Sequence, residues 1–290
     1  MDLSRFIELG EKLRLLTLII SQNGEVVARH QWDEDCRRNV YSASKSFTSA
    51  AVGIAMREGL LSIEEKLTDA FAEDLPQNVS DNLAQATVRD LLTMQLGQAG
   101  AALMGAQRPF YADRDWVKKS LAIPFADAPG TRFVYNNVGP YLAGVLVQRR
   151  AGCDLTSYLM PRLFGPLSIQ RPMWEFDPQG YTFGSGGLFL CAQELHRLGL
   201  LYLQDGQWNG RQIVPAEWVA ESSRKQAENG SYGYGYLFWL GEQGSFRADG
   251  KYCQLSIVLK EKNAVITVTA ECRDGAALNR AIFDELYPQL

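Results

Sequence analysis

Histidines and paired cysteines are scarce in this sequence. Among its 290 residues there are two histidines and five cysteines, and the cysteines are scattered, without CxxC spacing. A zinc site or a disulfide framework is therefore not expected, and isolated thiols in odd number are typical of a chain kept reduced in a cytoplasm. The sequence predicts no metal and no other cofactor.

The sequence also lacks long apolar runs and blocks of one charge. The apolar stretch at residues 15–20 (LLTLII) has the length of a strand and is too short to span a bilayer, and residues 1–6 (MDLSRF) do not resemble an export signal. The net charge is −4, and no basic patch interleaves with aromatic residues. We therefore expect a cytoplasmic protein without nucleic-acid or membrane partners, and the oligomeric state is left open.

Most catalytic motifs are absent as well. The sequence contains no GxSxG, no HExxH, no GxGxxG after a strand and no Walker GxxxxGK[ST]. His30 falls in a predicted hairpin and His196 on a predicted helix rich in leucine, so each histidine is predicted to be structural or superficial. Histidine triads, metal-dependent hydrolysis, dinucleotide chemistry and phosphoryl transfer all lose their main support.

Strand patterns are present at both ends of the chain, with helical patterns between them. Strands are predicted at residues 15–21 and 25–32 around an Asn23-Gly24 turn, because Asn-Gly between β-rich runs is a strong hairpin signal. Further strands are predicted at 234–239, 254–259 and 264–270, and helices at 138–150, 192–204 and 276–286.

This order predicts an α/β (α+β) fold with one antiparallel sheet. The sheet is built from both chain ends and flanked by helices, and an all-α domain is inserted into it. We place the sheet domain at residues 1–66 and 186–290 and the helical domain at 67–185. The cleft between them is the expected place for an active site.

One short motif offers a nucleophile and a base. In Ser42-Ala43-Ser44-Lys45 the first and last residues share a helix face, so the lysine amine can reach the serine hydroxyl. A hydroxyl needs such a base to act as a nucleophile, and lysine serves only if burial or nearby cations lower its pKa. The structural alternative is that Ser42 simply caps the helix, and a second match at residues 222–225 (SSRK) weakens the motif taken alone.

A tyrosine and an amide some ninety residues later strengthen this interpretation. Tyr135 and Asn137 lie two residues apart after the turn at Pro129-Gly130, so their side chains can point the same way. The phenol could relay a proton, and the amide could hold either Lys45 or a substrate carbonyl. A core tyrosine followed by an Asx turn is the structural alternative.

These motifs together resemble the serine β-lactamase and penicillin-binding-protein superfamily, in particular class C β-lactamases, DD-peptidases and related esterases. Residues 41–48 (YSASKSFT) are similar to its first motif and residues 129–137 (PGTRFVYNN) to its YxN segment. Residues 87–93 (TVRDLLT), 185–188 (SGGL) and 208–210 (WNG) match further landmarks in the same order. The resemblance covers roughly residues 15–269.

The resemblance implies that Ser42 becomes acylated, that Lys45 is the general base, that Tyr135 shuttles protons and that Asn137 orients substrate. It also implies an oxyanion hole made by the Ser42 N–H and an N–H of the strand that carries the last motif. The sequence departs from the family in this last motif, where residues 250–254 (GKYCQ) replace Lys-Thr-Gly.

The altered motif has consequences for substrate binding. Lys251 could attract a substrate carboxylate, with Tyr252, Cys253 and Gln254 lining the same strand. Cys253 stands where the family has a glycine, which narrows the site. The aromatic residues of 232–239 and Trp174 are further candidates for the cleft wall.

The sequence leaves several functions open, among them a penicillin-binding receptor that is acylated and stalls, which predicts a stable penicilloyl adduct. The favoured one is a serine hydrolase that cleaves a small ester or amide through an acyl-Ser42 intermediate. An acyltransferase with the same acyl-enzyme is the near alternative. A non-catalytic descendant that binds a ligand or scaffolds a partner is favoured only by the altered last motif.

Overall fold

A computed structural model describes all 290 residues, 1–290. The eleven α-helices are α1 Ser4–Lys12, α2 Ser44–Arg57, α3 Leu67–Ala70, α4 Asp81–Gln85, α5 Val88–Leu92, α6 Trp116–Leu121, α7 Val138–Ala151, α8 Leu155–Leu159, α9 Ala192–Leu203, α10 Ala216–Ser223 and α11 Gly275–Ala281. The ten strands are β1 Leu15–Gln22, β2 Glu25–Gln31, β3 Arg38–Asn39, β4 Phe189–Leu190, β5 Gln207–Trp208, β6 Arg211–Gln212, β7 Trp239–Leu240, β8 Phe246–Gly250, β9 Gln254–Leu259 and β10 Ala264–Ala270.

Both chain ends contribute to one six-stranded sheet. Its order is β2-β1-β10-β9-β8-β7, and every neighbouring pair is antiparallel. The β1–β2 turn places Asn23 and Gly24 at positive φ, as a tight hairpin requires. The predicted hairpin and the predicted fold class are both confirmed.

The sheet is covered on both faces, which explains why β9 and β10 are buried along their whole lengths. Helix α9 packs on β9 and β10 from one side. On the other side a smaller apolar core joins the sheet to Phe6 of α1, Leu278 of α11 and Ile282 in the π-helical turn that follows. Strands covered on both faces consist of continuous apolar residues and do not alternate.

Helices α2 and α7 form the centre of the helical region. They pack against each other, and nearly every residue of either helix is buried. Close approach is possible because these helices are rich in alanine and glycine. At Gly144 of α7 a Cβ would lie only 3.7 Å from Thr48 Cγ2 of α2, and at Gly139 the α7 backbone lies directly on the Leu91 carbonyl of α5, where a side chain would clash. This packing fixes the first turn of α2 relative to the loop before α7.

The predicted strand at residues 234–239 is wrong in extent, since only Trp239–Leu240 pairs as a strand. Leu237 and Gly233 take positive φ, which breaks an extended run. The alternating aromatic residues Tyr234, Tyr236 and Phe238 are buried in a loop instead. Strand β8, which lies between β9 and the edge strand β7, has no counterpart among the predicted strands.

The division into two domains stays a prediction. A single apolar cluster of 59 buried residues runs through both proposed parts, from Val40 through Leu146 to Val258.

None of the helices combines the length and the apolar character needed to cross a membrane.

Candidate active site

Ser42 lies in a single 3₁₀ turn, Tyr41–Ala43, that leads directly into α2. The turn is anchored on one side by the Val40 N–H, which donates to Leu188 O at 2.8 Å. On the other side the Tyr41 N–H donates to Asn39 Oδ1 at 2.7 Å. Tyr41 has a φ of 48°, and a non-glycine residue in this region persists only where its surroundings enforce it. The strained turn presents the Ser42 hydroxyl beside the start of a buried helix.

Lys45 is one turn further along and points back toward Ser42. Its Nζ lies at hydrogen-bond distance from three oxygens: Ser42 Oγ at 3.0 Å, Asn137 Oδ1 at 2.7 Å and the Ser185 carbonyl at 2.7 Å. As a free amine it donates to the last two and accepts from the Ser42 hydroxyl. The residue is only 1% exposed. All three partners are neutral, so no carboxylate compensates a positive charge on this amine.

The electrostatic consequence is a large change in the basicity of Lys45. Burial, and secondly the positive charge of Arg108, lower the pKa of Lys45 well below its usual value. A buried ammonium without an acidic partner is costly, and the free amine avoids that cost. An uncharged lysine at hydrogen-bond distance from a hydroxyl can accept its proton.

Asn137 holds Lys45 in place with both ends of its amide. Its Oδ1 accepts from Lys45, and its Nδ2 donates to the Leu103 carbonyl at 3.0 Å. Asn136 performs the capping role at α7, where its Oδ1 accepts the Gly139 N–H at 2.9 Å. Of the two possibilities left open for Asn137, its contact with Lys45 is the one formed in this structure.

Tyr135 lies beside Lys45 and Ser42. The Lys45 Nζ is 5.1 Å from the centre of its ring, and the Trp239 ring packs against it with centres 5.3 Å apart. Burial raises the pKa of Tyr135 above its usual value, and the Ser42 hydroxyl opposes this in part as a hydrogen-bond partner. The side chain is therefore a neutral phenol at physiological pH, able to donate a proton.

These groups open into a cavity of about 670 Å³. Its lining residues come from the turn at Ser42, the loop before α6, the segment before α7, residues 175–187 and the edge of the sheet. They are Asn39, Tyr41, Ser42, Met104, Gly105, Ala106, Arg108, Tyr135, Asn137, Glu175, Phe183, Ser185, Gly186, Gly187, Trp239, Asp249 and Lys251.

The segment at residues 250–254 divides between the cavity and the protein interior. Lys251 lines the cavity, and Tyr252 packs against the Tyr41 ring with centres 5.5 Å apart. Cys253 belongs to the smaller core on the opposite side of the sheet, and Gln254 Nε2 donates to the Ala270 carbonyl at 2.6 Å. The expected substrate contacts of Cys253 and Gln254 are therefore not supported, because their side chains turn away from the cavity.

Cys253 has a backbone conformation of the kind that favours glycine. Its φ is 66° and that of Tyr252 is 61°. Burial raises the pKa of the Cys253 thiol to about 12, so it is a structural thiol of low reactivity.

Three charged residues of the cavity were not found from the sequence. Arg108 and Glu175 form an ion pair with Nη1 and Oε2 3.1 Å apart, and Asp249 accepts from Arg247 Nε at 2.8 Å. None lies in a recognisable motif, and only the folded chain brings them to Ser42. Among the aromatic candidates Trp239 lines the cavity, whereas Trp174 lies behind it and donates to the Gly186 carbonyl at 2.9 Å.

The competing candidates lie elsewhere. In the second SxxK, Ser222 is buried and Lys225 pairs with Glu228 at 2.8 Å, so the two do not meet. His196 is buried between Ser21 Oγ and Thr267 Oγ1, each at 2.8 Å. No cluster of three or more His, Cys, Asp or Glu side chains is placed to bind a metal ion.

Comparison with known proteins gives one match to a protein family. The family model described as Beta-lactamase matches residues 5–286. Among curated proteins, the chain is 25% identical over 226 residues to the uncharacterized protein BpOF4_21049 of Alkalihalophilus pseudofirmus. That alignment covers 69% of this chain and 62% of the relative, so it spans less than two thirds of the relative's length.

Solved structures share the fold at low sequence identity. A Bacillus anthracis protein provisionally assigned as a 6-aminohexanoate-dimer hydrolase superposes with a TM-score of 0.82 at 19% identity, covering 96% of this chain and 80% of that one. The octameric penicillin-binding protein homologue of Pyrococcus abyssi gives a TM-score of 0.79 at 18% identity, covering 100% and 78%. At such identities the likeness establishes the architecture alone.

Proposed function

Since this chain belongs to the Beta-lactamase family, we propose that it is a serine hydrolase that cleaves a small ester or amide through an acyl-Ser42 intermediate. One observation carries the proposal. The amine of Lys45 is buried, has no acidic partner and lies 3.0 Å from Ser42 Oγ. A lysine kept uncharged beside a hydroxyl is what activation of a serine nucleophile requires.

Acylation begins with transfer of the Ser42 proton to Lys45. The oxygen then forms a bond to the substrate carbonyl carbon, and the carbonyl electron pair moves onto oxygen. The Ser42 N–H has no acceptor among the protein hydrogen bonds, which supports its use as one oxyanion donor. A second N–H would come from the strand end that carries Lys251. Loss of one such donor typically costs about 10²–10³ in rate.

Collapse of this intermediate breaks the bond to the leaving group. Tyr135 is the proposed proton donor to the departing alkoxide or amine, and its hydroxyl, a hydrogen-bond partner of the Ser42 hydroxyl, is proposed to regain a proton from the protonated Lys45. Water then attacks the acyl carbon while the free amine of Lys45 takes its proton. The bond between that carbon and Ser42 Oγ breaks, the protonated Lys45 returns the proton to Oγ, and the acid leaves with Ser42 restored as a hydroxyl.

The cavity supports a small substrate. Its volume of about 670 Å³ is in the range typical of small-molecule sites. Asn137 is proposed to orient the reacting carbonyl through Lys45, and Lys251 to attract an anionic group. Tyr252 supports the cavity wall through its contact with Tyr41.

The proposal is tested by turnover of p-nitrophenyl acetate, p-nitrophenyl butyrate and nitrocefin. We compare the wild type with Ser42→Ala and Lys45→Ala, and Lys225→Ala serves as the matched control because it belongs to the second SxxK. Ester turnover that disappears in the first two variants and persists in the control supports the Ser–Lys mechanism. Equal turnover in the wild type and Ser42→Ala contradicts it.

The same assay separates the alternatives. Addition of methanol or a primary amine distinguishes hydrolysis from acyl transfer, since an acyltransferase forms the methyl ester or amide in place of the acid. Saturable binding of a probe without any turnover or covalent adduct would favour the non-catalytic descendant. The nitrocefin rate places the enzyme on the esterase or the lactamase side.

A further inference from the structure

Trp239, the first residue of β7, lines the cavity and takes no part in the proposed proton transfers. Its indole contacts three other aromatic rings. The ring centres lie 5.3 Å from Tyr135 at a tilt of 34°, 5.1 Å from Tyr234 at 86° and 6.2 Å from Phe133 at 65°. Phe133 and Tyr234 also contact each other, with centres 5.3 Å apart. The four rings therefore form a closed cluster, in the edge-to-face and offset arrangements that aromatic pairs prefer.

The backbone around Trp239 is fixed on both sides. Trp239 pairs with Arg247 of β8, and it forms an isolated bridge with Tyr234 across the preceding loop. The N–H of the next residue, Leu240, donates to the Gly233 carbonyl at 3.3 Å. The indole therefore extends from the edge of the six-stranded sheet and is not carried by a free loop.

Tyr135, by contrast, lies between α6 and α7 in a segment that has neither helix nor strand. The main chain beside it is bonded at two points. The Val134 N–H donates to the Met94 carbonyl at 2.9 Å, and the Asn137 N–H donates to the Ala102 carbonyl at 3.1 Å. These bonds fix the backbone of Tyr135, but they do not decide the rotamer of its side chain, which depends on the groups packed against the ring.

The rotamer of Tyr135 decides where its hydroxyl lies, because the phenol oxygen is the atom of the ring furthest from Cβ. The hydroxyl is a hydrogen-bond partner of the Ser42 hydroxyl, and the Lys45 Nζ lies 5.1 Å from the ring centre. Trp239 is the aromatic ring that packs against Tyr135. Packing of this kind is what holds a catalytic side chain in its productive geometry.

We propose that Trp239 is a positioning residue for the proton donor: its indole, fixed at the edge of the sheet, holds the Tyr135 ring in the rotamer that brings the phenol to the Ser42 hydroxyl. Trp239 neither donates nor accepts a proton in this role. The inference rests on the proposed function, because the position of the phenol matters for catalysis only if Tyr135 protonates the leaving group.

Two butyrate esters separate this role from general damage to the site. Ethyl butyrate releases an alkoxide that must be protonated, whereas p-nitrophenyl butyrate releases a nitrophenolate that leaves without a proton. Both esters form the same acyl-enzyme, so a loss of contacts to the acyl group lowers kcat/KM for both. The variants are Trp239→Leu, Trp239→Phe, Tyr135→Phe and the double variant of Trp239→Leu with Tyr135→Phe. Trp208→Leu is the matched control, since Trp208 is a partly buried tryptophan of β5 that does not line the cavity.

Trp239→Leu should affect the two esters unequally. We expect kcat/KM to fall by about 10–10² for ethyl butyrate, the cost of a displaced catalytic group, and by less than about threefold for p-nitrophenyl butyrate. Trp239→Phe should keep most of the activity toward both esters, because a smaller ring can still pack against Tyr135, and Trp208→Leu should match the wild type.

The double variant decides whether Trp239 acts through Tyr135. Once the phenol is gone, a residue that only positions it has nothing left to do, so Trp239→Leu should cause no further loss of ethyl butyrate turnover in the Tyr135→Phe background. Losses that add in the double variant, or equal losses for the two esters in Trp239→Leu, would overturn the proposal.

A second measurement follows the position of the ring without turnover. The protein carries protonated, ¹³C-labelled tyrosine and lysine in a deuterated background, and the Tyr135 ring signals are assigned by their loss in Tyr135→Phe. The nuclear Overhauser effect between the Tyr135 ring and the Lys45 side chain should be present in the wild type and in Trp239→Phe, and lost in Trp239→Leu. That pattern in a protein that turns over neither ester would support the role of Trp239 and contradict the proposed function. An Overhauser effect that persists in Trp239→Leu, together with ester turnover that depends on Ser42, would contradict the role of Trp239 and leave the proposed function standing.

Discussion

Replacing Lys45 by methionine tests whether the base is uncharged in the folded protein. Methionine has a side chain of similar length to lysine but no titratable group, so the wild type and Lys45→Met differ in one buried titratable group. Lys45 is 1% exposed, and its partners are a hydroxyl, an amide oxygen and a backbone carbonyl. Burial and the charge of Arg108 lower its pKa well below the ordinary 10.5.

The sign of the effect on stability follows from proton binding. Between the lowered pKa of folded Lys45 and 10.5, the unfolded chain binds a proton that the folded chain does not. The free energy of unfolding of the wild type, relative to Lys45→Met, should therefore rise with pH by about 1.4 kcal/mol per pH unit. The difference levels off above pH 10.5 and below the folded pKa.

The loss of hydrogen bonds in the variant does not alter this slope. Methionine leaves Asn137 Oδ1 and the Ser185 carbonyl without their lysine donor, at a cost of about 1–3 kcal/mol for each buried group left unpaired. That cost shifts the whole curve by a constant amount. The pH dependence of the difference reports the lysine alone.

Urea unfolding at half-unit steps from pH 6.5 to 9.5 measures the difference, with Ser42→Ala as a control that keeps the lysine. We expect the control to follow the wild type and Lys45→Met to diverge from both. Parallel curves for all three proteins would refute the reasoning, because Lys45 would then be an ammonium in the folded state and could not accept a proton.

Three further predictions concern the proton donor, a buried histidine and a glycine of the cavity. Tyr135→Phe should slow turnover of ethyl butyrate by about 10²–10⁴ but that of p-nitrophenyl butyrate far less, since nitrophenolate leaves without a proton; equal losses would remove Tyr135 as the donor. Burial lowers the pKa of His196 to about 4 from 6.5. The stabilisation that the neutral imidazole gives the folded protein is therefore fully present above pH 6.5, and about 3 kcal/mol of the free energy of unfolding is lost as the pH falls to 4. The free energy of unfolding of His196→Gln, measured in urea, should fall less steeply with acid than that of the wild type. Gly187 has a φ of 76°, and a Cβ there would lie 2.5 Å from the Glu175 Cγ, whereas Gly59 has a similar φ of 72° and open space around it. Gly187→Ala should therefore lower the free energy of unfolding by about 1–3 kcal/mol more than the control Gly59→Ala. Equal losses in the two variants would mean that Glu175 moves aside freely.

The fold could be predicted from local patterns wherever one pattern decided the structure. The hairpin at Asn23-Gly24 and the apolar strands β9 and β10 are examples, and the resemblance to the Beta-lactamase family is confirmed by the family match. The segment at 234–239 was misassigned because inward-facing aromatic residues alternate in a loop as they do in a strand. Strand β8 was missed because it is short and because Arg247 and Asp249, on its partly exposed face, interrupt the apolar pattern.

The site was predictable only where its residues sit in spaced motifs. The spacing of Ser42 and Lys45 places both on one helix face, and that of Tyr135 and Asn137 places both in one loop. In the structure all four side chains lie together. Arg108 and Glu175 are separated by 67 positions and meet only through tertiary folding. No periodicity or short motif marks such a pair.

The covalent adduct on Ser42 tests the central claim most directly. The protein is incubated with a fluorophosphonate at pH 8 and analysed by intact mass and peptide mapping, alongside Ser42→Ala and Lys45→Met. We expect one adduct per chain, located on Ser42, absent in Ser42→Ala and formed much more slowly in Lys45→Met. An unmodified wild type, an adduct on another residue, or equal rates in the wild type and Lys45→Met would contradict the assignment of Ser42 and Lys45 as nucleophile and base.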